Sequence, residues 1–172
     1  MTIKRILFLF LIFGVQLNLY SQRIDNKIVT RNTTIGMQYF ILPQSGFQSK
    51  GSSLTFDQTT FVGKDTVRIG ITLRCSSAIN PDSLIVSCDD EILKTYQIEP
   101  KFVELKKRKW ESRIFISATQ LEMIHLFNLP TPPKILVKDK MNSIELNIKN
   151  ARWSKYREIN TAIFQQIKFN EN

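Results

Sequence analysis

The segment Thr66-Val67-Arg68-Ile69-Gly70-Ile71-Thr72-Leu73-Arg74-Cys75 alternates apolar residues with polar ones and a glycine. A period of two places Val67, Ile69, Ile71, Leu73 and Cys75 on one face of a strand, with Arg68, Thr72 and Arg74 on the other. One face is therefore predicted to be buried and the other wet. The same pattern marks Thr33–Ile41, with Ile35, Met37, Tyr39 and Ile41 predicted inward, and Ile144–Lys149. In Trp110–Ser117 it groups Trp110, Ile114 and Ile116.

Turn chemistry pairs these strands. Leu84–Cys88 and Ile92–Ile98 flank Asp89-Asp90-Glu91, and aspartate suits a turn because its side chain hydrogen-bonds the local backbone. Lys134–Lys138 and Ser143–Lys149 flank Asp139-Lys140-Met141-Asn142, which predicts a second hairpin. Gln44–Ser53 reads as a polar, glycine-containing loop. Thr119–Asn128 reads as a short helix with Leu121, Ile124 and Phe127 as its stripe, ended by the prolines after Leu129. Ile159, Ile163 and Ile167 recur every four residues, with Tyr156 and Ala162 close by. They predict a C-terminal amphipathic helix, capped by Ser154, that docks on the sheet or covers an edge. The fold class expected is mostly β: an antiparallel β-sandwich with a short internal helix and a C-terminal amphipathic helix. The sandwich is expected over residues 33–149, preceded by an extension at 22–32 and followed by the helix and tail at 150–172.

Residues 1–21 read as an address. Lys4 and Arg5 precede an apolar run from Ile6 to Phe13, and Ser21 offers a small residue for cleavage. The run is shorter than the roughly 20 residues that span a bilayer, and Gln16 and Asn18 interrupt it. A cleaved signal peptide is expected, with the protein periplasmic or extracellular and no permanent membrane anchor. The full chain carries 24 basic and 15 acidic residues, a net charge of +9. Without Lys4 and Arg5 the balance is 22 basic against 15 acidic residues, or +7. Such a charge attracts acidic glycans, headgroups or proteins. It does not by itself argue for nucleic acid, and none is expected.

Catalytic chemistry finds little to build on. His125 is the sole histidine and stands among apolar residues of the predicted internal helix, with no Gly-x-Ser-x-Gly elbow or His-Glu-x-x-His pair in the chain. Asp89, Asp90 and Glu91 are adjacent turn residues, which do not flank a sugar at the separation glycoside hydrolysis requires. No phosphate-binding glycine loop is present, and no cofactor or metal is expected. Cys75 and Cys88 are both predicted inward on successive strands of an exported chain. A disulfide between them is expected, the alternative being two buried thiols. The densest basic run is Lys106-Lys107-Arg108-Lys109-Trp110. It reads as a charged hairpin tip that blocks edge pairing, and as a candidate contact for an acidic polymer. Arg152-Trp153-Ser154-Lys155-Tyr156-Arg157 is the second basic, aromatic cluster, with Arg152, Trp153, Lys155 and Arg157 as candidate contacts. It can equally be the entry to the last helix, with Trp153 and Tyr156 packed on the sheet.

The leader, the strand ending Thr72-Leu73-Arg74-Cys75, the Asp89-Asp90 hairpin and the Ile144–Ile148 strand together resemble small uncharacterised exported β-sandwich proteins of Gram-negative bacteria. The resemblance covers most of the chain in outline and carries over no active-site residue. The function expected is a non-catalytic exported binding or accessory module of the cell envelope, its partner an acidic envelope polymer or protein. A structural subunit of a surface assembly and a carboxylate-dependent hydrolase of an envelope polymer are the alternatives.

Overall fold

Ten antiparallel strands in two sheets, with two helices, make up residues 26–169, the part of the chain that the computed structural model describes. In chain order they are β1 (Ile28–Thr33), β2 (Gly36–Ser49), β3 (Ser52–Phe61), β4 (Thr66–Cys75), β5 (Ser83–Cys88), β6 (Glu91–Gln97), β7 (Glu99–Lys106), β8 (Lys109–Thr119), α1 (Gln120–Asn128), β9 (Lys134–Lys138), β10 (Ser143–Leu146) and α2 (Asn150–Phe169). The six-stranded sheet has the order β1-β2-β3-β4-β8-β7, and the four-stranded sheet β10-β9-β5-β6. Neither sheet closes into a barrel. A backbone bridge between Gln48 and Asn147 ties the two at one corner. At another, only Ile98 separates β6 in one sheet from β7 in the other, so a single run of chain turns the corner. The predicted signal segment lies outside the described residues.

Strand β4 spans the ten residues of the alternating segment, and its five inward side chains are all buried. They meet Leu84 and Val86 of β5, and Ile135 and Val137 of β9, in one core. Helix α2 closes the rest. Trp153, Tyr156, Ile163, Phe164 and Ile167 face inward, and Trp153 lies edge-on to Phe47 and stacked on Phe127, with ring centroids 6.4 and 5.8 Å away.

Several expectations need correction. Gln44–Ser53 is a loop only at Lys50-Gly51; the rest belongs to β2 and β3. Its polarity misled because β2 carries two register shifts, between Ile41 and Gln44 and between Ser45 and Phe47, which break the alternation. Thr33–Ile41 is not one strand: Thr34-Ile35 is the turn between β1 and β2, so Ile35 is 65% exposed, and Met37 beside it is 42% exposed. Residues 28–32 of the segment expected as an extension belong to β1, which ends at Thr33. In α1, Thr119 caps the helix and the buried face is Gln120, Met123 and Phe127, leaving Leu121 73% exposed. Helix α2 starts at Asn150, so Ser154 lies inside it and does not cap it.

The wet face of the six-stranded sheet explains Gly70. Asp57, Gly70 and Phe115 are cross-strand neighbours on β3, β4 and β8. Arg113 lies across Gly70, donating to Asp57 Oδ2 at 2.7 Å and to Thr72 Oγ1 at 2.8 Å. A Cβ at residue 70 would collide with the Arg113 guanidinium and stand 2.7 Å from Asp57 Oδ1. The glycine thus lets an ion pair lie flat on the sheet. Phe115 beside it has the Arg68 guanidinium 4.1 Å above its ring, a cation–π contact.

Candidate functional site

The strand directions bring three connections to one end of the six-stranded sheet. These are the β2–β3 turn at Lys50-Gly51, the exit from β4 at Cys75-Ser76, and the β7–β8 turn at Lys107-Arg108. Cys75 pairs with Trp110, and Lys106 with Lys109. A Cβ added to Gly51 would stand 3.8 Å from Ser76 Oγ, which places Lys50 beside the end of β4. Lys50, Arg74, Lys106, Lys107, Arg108 and Lys109 therefore share this end with the acids Glu104 and Glu111.

The acids are spent at the base of the hairpin. Glu111 accepts from Arg74 Nε at 2.7 Å and has Lys106 Nζ 3.7 Å away. These contacts, led by the Arg74 hydrogen bond, hold its carboxyl below the ordinary value of 4.5. Lys106 also approaches Glu104 at 4.0 Å. Among the described residues no carboxylate makes a salt bridge to Lys107, Arg108 or Lys109, and all three are exposed. Lys107 and Arg108 form a two-residue turn with φ of 50° and 64°. Such left-handed turns favour Asn-Gly, because any Cβ there crowds the carbonyl oxygen. Two cations thus occupy positions that cost the fold energy. Trp110 is half-buried and pairs across the ladder with Cys75 at the end of β4.

The second basic cluster divides. Trp153 is 1% exposed, its indole N–H donating to the Leu129 carbonyl at 3.2 Å, so it offers no contact surface. Arg157 is half-buried and donates to the Phe127 carbonyl at the end of α1, at 3.3 Å. Arg152 and Lys155 stay exposed and line a pocket of about 220 Å³ with Lys27, where α2 crosses the irregular part of β2. Gly46 admits the Arg152 stem, since a Cβ there would stand 2.5 Å from Arg152 Cδ. Below this pocket Gln44, Gln58 and Asn160 form a buried amide cluster, which the sequence reading missed. The polar residue types gave the only signal: Gln44 reads as part of a loop, and nothing in the sequence marks Gln58.

The expected disulfide does not form: Cys75 and Cys88 are both free thiols. They lie in different sheets, and Cys88 ends β5, about 17 Å of strand from where β5 begins. Burial pushes the Cys75 thiol up, and Ser52 and Lys109 only partly oppose this. Cys88 instead meets Thr131 Oγ1, 2.9 Å from its Sγ.

The acidic turn is tied to ordinary surface partners. Asp89 Oδ2 accepts from Thr131 at 3.1 Å, and Asp90 pairs with Lys134 at 3.0 Å. Its two left-handed residues, Asp89 and Asp90, close the β5–β6 hairpin. His125 is exposed on α1 and borders a groove beside β6. Among the described residues no group of three or more His, Cys, Asp or Glu is placed to hold a metal ion, and no helix is long and apolar enough to cross a membrane. Searches against family models, curated proteins and solved structures find no match to this chain.

Proposed function

We propose that the protein is an exported, non-catalytic binding module of the cell envelope, and that its Lys107-Arg108-Lys109 tip contacts an acidic polymer or protein. The observation that carries this reading is the pair of unneutralised cations held at left-handed φ in a tight turn. A turn selected for stability alone would carry Asn-Gly, so this one trades stability for exposed positive charge. Lys50 extends the positive field along the same end of the sheet, whereas Arg74 is neutralised by Glu111. Anchoring in the β7–β8 ladder reduces the conformational entropy lost when a partner binds. The N-terminal leader and the overall charge support export and an anionic partner.

The test is a paired measurement on Lys107→Asn/Arg108→Gly. Relief of two left-handed side chains is expected to raise stability by about 1 kcal/mol or more, read by urea denaturation. The same variant is expected to lose most of its retention on an immobilised polyanion such as heparin or poly-glutamate. Wild-type retention should fall steeply as salt rises toward physiological strength and above. Equal retention of wild type and variant at every salt concentration would remove the tip from the binding surface. Turnover of an envelope polymer that is lost with one carboxylate would replace the binding module with a hydrolase.

A further inference from the structure

A groove of about 450 Å³ separates β6, the free edge of the four-stranded sheet, from helix α1. Val86, Leu93, Tyr96, Leu121 and Leu126 form apolar walls, and its polar members are Lys94, Glu122 and His125. The Lys94–Glu122 ion pair, 2.5 Å long, spans from strand to helix. On the same strand Ile92 is also 67% exposed. Beneath it, Val86, Tyr96 and Leu126 also border a core void of about 50 Å³, whose further walls include Leu84, Met123 and Phe127. The same three side chains therefore stand between an open apolar groove and unfilled space in the core.

The occupant of such a site must be poor in polar groups along its length. A peptide brings an N–H and a C=O at every residue, and burying them against apolar walls is costly. Regular pairing with the β6 edge would satisfy them, but that edge is irregular. Lys94 pairs with Val86 while Ile92 pairs with Ser87, so Leu93 is the extra residue of a bulge. Bulges interrupt the ladder and discourage strand addition. An alkyl chain has no such requirement, and a few methylenes fit a void too small for an amino-acid side chain with its backbone. Lys94 and His125 leave a polar margin where a head group can remain in water.

We infer that the groove between β6 and α1 binds the alkyl chain of an amphiphile, whose tail end enters the core void past Leu126. This site is separate from the basic tip, and its test is independent of that reading. Calorimetric titration of the exported protein with octanoate, decanoate and dodecanoate, each below its micelle concentration, reads the chain directly. Affinity is expected to rise about four-fold per added methylene. Leu121→Ser changes a side chain already 73% exposed, so folding is spared. It is expected to weaken dodecanoate binding about three-fold. Leu126→Trp, which fills the groove, is expected to abolish binding. Lys107→Asn/Arg108→Gly is expected to bind dodecanoate as wild type does. Flotation with phosphatidylcholine vesicles separates the sources of the chain. Association that free dodecanoate displaces assigns it to a lipid, and dodecanoate binding without flotation assigns it to a free amphiphile. Affinity independent of chain length, or Leu121→Ser indistinguishable from wild type, would overturn the proposal.

Discussion

Replacing Gly70 by alanine adds one methyl group in the middle of β4, and its cost is expected to come from one ion pair. The new Cβ would displace the Arg113 guanidinium and the Asp57 carboxylate, which already meet above this position at 2.7 Å. Both are ends of flexible side chains, so the backbone need not move, and the loss is the pair itself. The two side chains are 20% and 9% exposed, which puts the pair between a surface salt bridge and a buried one. A charge-assisted hydrogen bond in such a setting is worth about 1.5–3 kcal/mol. Removing a glycine from the unfolded chain returns about 0.4–1 kcal/mol. Gly70→Ala is therefore expected to destabilise by about 1–2 kcal/mol, measured by urea denaturation. The double-mutant cycle decides the cause. In an Asp57→Ala background Arg113 is free to swing into solvent, and Gly70→Ala should then stabilise slightly, by about 0.4–1 kcal/mol, because only the gain from the unfolded chain is left. The same loss in both backgrounds would refute the ion-pair explanation and point to strain in the strand.

Three further outcomes follow from the packing. Thr119→Ala removes the cap that accepts from Glu122 N at 3.1 Å and is expected to cost about 1 kcal/mol in thermal or urea unfolding, with Thr119→Ser retaining most of it. Asn160→Ala leaves the buried Gln44 and Gln58 without their shared partner, where Gln58 Oε1 already lacks one; a loss of about 2 kcal/mol or more is expected by the same assay. Glu111 has its folded pKa below the ordinary 4.5, chiefly through the Arg74 hydrogen bond. Its contribution is thus present above that value and lost as pH falls through the lowered one. Stability measured from pH 6 downward should fall less steeply in Glu111→Gln than in wild type; parallel curves would show that Glu111 is not a source of the acid sensitivity.

Where one face of an element is dry and the other wet, the period of two was enough to read it. Strand β4 is the clear case, and the Asp89-Asp90 turn and the Thr119 helix start were legible for related local reasons. Legibility failed where tertiary contacts override the local pattern. Gln44 and Gln58 look like surface residues, yet both lie buried because Asn160 reaches them from more than 100 residues away in the chain. The bulges of β2 shift side chains between faces, so alternation cannot be followed through Pro43 and Gly46. The disulfide expectation rested on two inward cysteines, and a face assignment says nothing about which sheet a strand joins. Of the candidate contacts, the Lys106–Lys109 tip was visible as a charge run. That Trp153 serves the core and leaves only Arg152 and Lys155 open in its cluster is a property of the packed helix.

The most direct test of the binding role is a map of amide chemical-shift changes as a short polyanion such as a heparin oligosaccharide is added to isotope-labelled protein. Shifts are expected to cluster at Lys50, Ser76 and Lys106 through Trp110, to titrate together, and to vanish as salt is raised. Shifts confined to Lys27, Arg152 and Lys155, or an unchanged spectrum at low salt, would contradict the assignment of the sheet end as the binding surface.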